Sequence, residues 1–226
     1  MSIPYIWLGV TVLLFALGDW LYRRSGGRVW FHPILLPTVL LVLLFLLKPG
    51  LFAAFEQDTN VLYAGLLAAV AALAVPLYRN LGVLRQEKAA VAAAIIGGSV
   101  AGVTSALGII AILSADDALY GAVVSKSVTT PIAISIADGI GASASLSAAT
   151  VILTGLFAAI FGPPILAKCG IDDDVGMGLA LGTAGHAIGM AEAVRRSDVM
   201  GAAAAFAMAA NGLATAVIVP LVWPLL

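Results

Sequence analysis

Lys126 lies in the run Ser125-Lys-Ser-Val-Thr-Thr-Pro-Ile-Ala133, in the middle of an apolar segment from about 118 to 138. A lysine at mid-bilayer costs about 2.5–3.5 kcal/mol on insertion scales, so it normally faces protein or a wet cavity. Pro131 has no amide hydrogen, which deprives the Ser127 carbonyl of its helical donor and pushes Thr130 toward an extended conformation. Thr130 and Pro131 suit the N-cap and first turn of a half-helix that begins inside the membrane. A half-helix N-terminus beside a cation receives an anion. The hydroxyls of Ser127, Thr129 and Thr130 could hydrogen-bond a carboxylate held there. The bland alternative is a kinked helix whose lysine snorkels to the interface.

A second stretch, Gly182-Thr-Ala-Gly-His-Ala-Ile-Gly-Met-Ala-Glu192, carries Thr183, Gly185 and His186 near the centre of its own segment, and these join the candidate substrate contacts. Gly178, Gly182, Gly185 and Gly189 recur every three or four residues, leaving one helix face nearly bare for close packing or unwinding. The imidazole of His186 could contact a substrate or carry a proton. Equally, it could be a neutral ring bonded to a neighbouring helix. Asn211, beside Gly212, is the other polar side chain inside a span, and either a ligand or an adjacent helix could use it. Gly98 and Gly102, with Gly97, Ser99, Thr104 and Ser105, make the fourth segment small and pliable. Glu192 precedes Arg195 and Arg196 by three and four residues, the spacing of a surface ion pair. Asp19 is expected at an interface, and Asp116, Asp117 and Asp172 to Asp174 at helix starts.

These side chains sit in a chain that water cannot cover. Of its 226 residues, 62% are hydrophobic and 10% charged, with mean hydropathy +1.10. Soluble domains carry roughly 25% charged residues, so the fold class is an all-α polytopic integral membrane protein. Weak alternation argues against an outer-membrane barrel. Net charge −1 and the lack of a basic patch give no reason to expect nucleic acid. The single cysteine, Cys169, excludes an internal disulfide framework and a multi-cysteine metal site. His186 and Glu192 are six apart, not the zinc-helix spacing, and no nucleophile elbow or phosphate loop occurs. Neither an enzyme nor a cofactor is expected.

About eight membrane segments fall near 3–22, 33–47, 61–78, 89–113, 118–138, 147–167, 175–194 and 199–223, with breaks expected around 125–131 and 182–189. No Pro/Ser-rich linker divides them, so residues 1–226 read as a single transmembrane domain. The first segment lacks a basic leader and is long enough to span, which argues against a cleaved signal. Arg23, Arg24, Arg28, Arg79, Arg85, Lys88, Arg195 and Arg196 fall in alternate links. By the lysine/arginine bias those links are cytoplasmic and both termini lie outside. A second topology keeps that assignment but makes 118–138 and 175–194 re-entrant hairpins entering from opposite faces, with Lys168 joining the inside. A faint repeat at a spacing of 57 pairs Asp116-Asp117 with Asp173-Asp174, Gly121 with Gly178 and Pro163 with Pro220. It also aligns Gly98, Gly155 and Gly212.

Ser-Val-Thr-Thr-Pro-Ile-Ala (127–133), Leu-Gly-Thr-Ala-Gly-His-Ala-Ile-Gly (181–189) and Asn-Gly-Leu-Ala-Thr-Ala (211–216) resemble the LrgB/CidB family over roughly residues 10–225. Two departures stand out: Ser125 where that family usually has proline, and Met190 where threonine is usual. The resemblance implies a bacterial inner-membrane protein with a small LrgA/CidA-type membrane partner, described as holin- or antiholin-like and as modulating murein hydrolase activity and autolysis. A plastid relative exchanges glycolate and glycerate, and bacterial relatives are linked to pyruvate, which implies a small-molecule carboxylate as ligand. A homo-oligomer in the lipid bilayer is the accompanying expectation.

Overall fold

The computed structural model describes residues 5–26, 28–72, 78, 82, 85, 88–112 and 117–225. Arg79 and Asp116 lie outside them. Among the described residues the chain is helical with no strand. By compactness it divides into residues 1–72 and residues 73–226. Among the described residues, four helices are long and apolar enough to cross a membrane, or up to five if a bent pair, Leu35–Leu47 with Pro49–Leu62, is one span.

The first unit holds α1 (Ile6–Arg24), α2 (Leu35–Leu47) and α3 (Phe52–Ala72). The second apolar segment is indeed too short to span alone. It ends at Lys48, where a 3₁₀ turn over Pro49–Leu51 bends the chain by 116°. The third helix starts nine residues before the expected 61, because Glu56, Gln57 and Asp58 belong to it rather than to a link. Asp58 earns that place by accepting a hydrogen bond from the Trp7 amide at 3.2 Å, satisfying a donor in the first turn of α1. Trp7, Phe45, Phe52 and Phe55 stack around the same end, with ring centroids 4.9–6.3 Å apart. At the other end of α1, Asp19 pairs with the exposed Arg23 at 2.7 Å.

The second unit is built from three 25-residue helices, α4 (Lys88–Ile112), α7 (Ala144–Lys168) and α9 (Asp198–Val222). At 1.5 Å per residue each is about 37 Å long, more than the ~30 Å hydrocarbon core. Between α4 and α7 lie two short helices, α5 (Asp117–Val123) and α6 (Thr130–Ile140). Between α7 and α9 lies α8 (Asp174–Arg196), which is broken at His186.

Neither intervening segment crosses. A Cβ on Gly189 would collide with the Leu181 carbonyl, although eight residues of straight helix separate two such positions by about 12 Å. Asp174 also accepts a hydrogen bond from the Ser197 hydroxyl, so the two ends of α8 are neighbours. The chain therefore folds back at His186. Gly121 of α5 likewise abuts Ala142, just past the end of α6. Both segments are hairpins whose arms, about 10–18 Å long, reach only partway through the core. The first opens beside the N-terminus of α7 and the second beside its C-terminus. Of the two topologies open from the sequence, the fold takes the re-entrant one.

The positions aligned at a spacing of 57 have comparable places in the fold. The order long helix, hairpin, long helix occurs twice, sharing α7, and the aligned glycines face hairpin residues. A Cβ on Gly98 would lie 2.9 Å from Thr183, one on Gly155 2.6 Å from His186, and one on Gly212 2.9 Å from Ile132. Gly121 and Gly178 each sit on a first arm, Gly121 against Ala142 in the link before α7 and Gly178 against Met200 in the first turn of α9. The exposed Cys169, after the last residue of α7, reports which topology holds in cells. Impermeant maleimide is expected to label it only after lysis. Labelling of intact cells would restore a full crossing at 118–138.

Candidate functional site

The first hairpin turns through residues 124–129. Helix α5 ends at Val123, and tight turns follow, with Lys126 N–H bonded to Val123 O at 3.1 Å and Val128 N–H to Ser125 O at 3.3 Å. Helix α6 begins with Thr129, φ −70° and ψ 151°, as its N-cap, so Thr130 is its first residue and Pro131 its second. The cap is one residue earlier than the sequence suggests. None of the first four amides of a helix has an intrahelical acceptor, so proline is tolerated at the second position too. The Ala133 amide then closes the turn on Thr129 O at 2.9 Å. No side chain caps this terminus. The ammonium of Lys126 donates to Ser127 Oγ at 3.2 Å, and Lys126, Ser127, Thr129 and Thr130 are all partly exposed.

The second break forms at His186, with φ 41° and ψ −134°, a conformation that glycine adopts freely and other residues rarely do. Its Nε2 donates to Val151 O of α7 at 2.9 Å, and the ring packs on Gly155. This is the helix-to-helix bond that the sequence left as one of two readings. Gly185 lies against Ala158 of the same helix, where a Cβ would come within 2.7 Å. Gly178 and Gly182 abut the main chain of α9 at Met200 and Ala204. His186 and Gly185 therefore face α7, while Thr183 faces α4 and α9.

Asn211 of α9 joins the two breaks. Its Nδ2 donates to Ser127 O at 2.7 Å and to Thr183 O at 3.1 Å. The first belongs to the turn that precedes the α6 N-cap, and the second lies in the turn of helix that ends at the His186 break. The two oxygens thus lie within about 6 Å of each other. Its Oδ1 accepts from Ser99 Oγ of α4 at 2.6 Å, and the side chain is 1% exposed. Asn211 thus holds the two breaks together through its side-chain amide. Ser99 and the α7 surface at Val151, Gly155 and Ala158 were not singled out as parts of this assembly by sequence reasoning. The equally spaced Gly98, Gly155 and Gly212 were the signal for it. Gly102 approaches the site too, with its Cβ position 3.8 Å from Ser127 Oγ.

Asn211→Leu is expected to lower stability by about 1–3 kcal/mol, since two carbonyls and the Ser99 hydroxyl lose a partner in an apolar setting. Chemical unfolding in detergent checks this, and a variant as stable as the parent would show that the bridge contributes little.

Glu192 is more buried than a surface pair implies. Its carboxylate is 7% exposed and meets Arg196 at 2.8 Å and Arg195 at 3.5 Å, closing the end of the second hairpin. Asp173 and Ser197 cap the first arm of that hairpin and α9, accepting from Gly176 N–H and Met200 N–H. Among the described residues, no group of three His, Cys, Asp or Glu side chains could hold a metal.

Two re-entrant hairpins joined at their breaks within a helical bundle define an integral membrane protein with discontinuous helices. Residues 11–225 match the LrgB-like family, and the chain belongs to it. Proteins named antiholin-like protein LrgB from Bacillus mycoides (strain KBAB4) and Bacillus cereus (strain B4264) are each 29% identical to it over 223 residues, 98% of this chain and 96% of theirs. No solved structure matches.

Proposed function

We propose that the chain carries small monocarboxylates of the glycolate, glycerate, lactate and pyruvate class across a bacterial inner membrane. The observation behind this reading is the helix break at 124–130. There Lys126 supplies a cation, the first turn of α6 presents the uncapped amides of Thr130 and Ile132 on either side of Pro131, and Ser127, Thr129 and Thr130 offer hydroxyls, all partly exposed. One cation and three hydroxyls suit a single carboxylate with a neighbouring oxygen. Thr183, Gly185, His186 and Asn211 hold that break against the second one, and Gly98, Gly102, Gly178, Gly182 and Gly189 let the elements approach. Saturable uptake of short carboxylates into liposomes, compared between the parent and Lys126→Ala, tests the assignment.

A second reading is favoured by the names of the relatives, antiholin-like protein LrgB. In it the chain regulates murein hydrolase activity through an LrgA/CidA-type partner or its own oligomers, without carrying solute. That reading expects leakage without saturation and full activity of Lys126→Ala in an autolysis assay. Co-expression with the LrgA-type protein separates activity residing in the partner.

A further inference from the structure

A groove of about 460 Å³ runs along the outside of the seam between α4 and α9. Its walls are aliphatic and aromatic, with Ile95 and Ile96 on one side and Phe206 and Ala214 on the other. Arg85 and Lys88 occupy one end. From Lys88 to Ile96, and from Phe206 to Ala214, the walls extend about 12 Å along each helix, close to half of the ~30 Å hydrocarbon core. Because Ile95 clusters with Ala207 and Ser99 bonds Asn211, the α9 wall lies deeper than the α4 wall, and the groove runs from a cationic mouth into an apolar slot. Neither cation makes an ion pair among the described residues. Two adjacent like charges at the end of an apolar slot call for an anion tethered to hydrocarbon, and basic pockets between transmembrane helices take anionic headgroups for this reason.

We propose that this groove is a binding site for an anionic phospholipid, with the phosphate on Arg85 and Lys88 and an acyl chain between α4 and α9. Val91 and Ile95 of the groove belong to a buried cluster with Leu179, Ala203 and Ala207, against which Phe206 and Ala210 pack; it joins the first arm of the second hairpin to both long helices. One turn deeper, Ser99 bonds Asn211 across the same seam. A lipid seated there presses α4 and α9 together where the two helix breaks are held. Occupancy is then coupled to the stability of the hairpin assembly, whatever solute the protein handles.

Thermal unfolding of the purified full-length protein in uncharged detergent tests this. Phosphatidylglycerol, phosphatidylcholine with the same acyl chains, and glycerol phosphate are each titrated. Phosphatidylglycerol is expected to raise Tm by several degrees and saturate, while the other two do not. In Arg85→Gln/Lys88→Gln the half-saturating concentration should rise about fivefold for each cation removed. Arg85→Lys/Lys88→Arg should keep the parent response, and Ala214→Trp should abolish it by filling the slot. Equal stabilisation by phosphatidylcholine, an equal effect of glycerol phosphate, or unchanged selectivity in the double glutamine variant would overturn the proposal. So would an increase in particle mass without lipid preference, which would assign the groove to a protein helix.

Discussion

Gly182→Ala should destabilise the protein by about 3 kcal/mol or prevent assembly of the second hairpin, at the upper end of overpacking penalties. Its added methyl would overlap the main chain of Ala204 at both the carbonyl and Cα. A clash with the tip of a flexible side chain is relieved by a rotamer change, but here one backbone must leave the other. Moving α8 away from α9 breaks the bond from Asn211 to Thr183 O and the packing of Gly178 on Met200, so the cost spreads along the hairpin. Gly108→Ala is the control. It is exposed on α4 with nothing within 4 Å, and alanine is the better helix former by about 1 kcal/mol. Melting both variants in the same detergent decides the matter. Two similar curves would mean that the close approach of α8 to α9 does not exist in the membrane.

Lys126→Ala should reduce saturable carboxylate uptake at least tenfold under the carrier reading, with little change in folding. The ammonium has one hydrogen bond, to its neighbour Ser127, so little structure depends on it. Charge-assisted bonds to a carboxylate are worth about 1.5–3 kcal/mol, which corresponds to roughly 10- to 150-fold in binding. Lys126→Arg should retain part of the uptake, because the charge persists while its geometry changes. Lys126→Gln should behave like alanine. Uptake that survives in Lys126→Ala, from a protein with an unchanged melting curve, would remove the lysine from the site and favour the regulatory reading.

The local chemistry of the first break was legible in the sequence. Proline lacks a donor wherever it stands, so a freed Ser127 carbonyl and a new helix start near Pro131 followed directly. The N-cap nevertheless moved to Thr129, because amides in the first turn need no helical partner and proline therefore does not fix its own position. Glycine spacing announced that the second segment would pack closely or unwind. It did not say which, and the turn at His186 is settled by contacts with α7 and α9 that no local pattern encodes.

Composition and hydropathy alone determined the membrane class, because 62% hydrophobic residues leave too little polar surface for water. The sequence also marked the two breaks and the three aligned glycines, each a property of a residue or a spacing. Tertiary structure decided that the broken segments fold back rather than cross, that His186 bonds Val151, and that Asn211 serves both breaks. Those outcomes depend on which carbonyl lies within reach of which side chain, a matter of three-dimensional proximity between residues 28 to 84 positions apart.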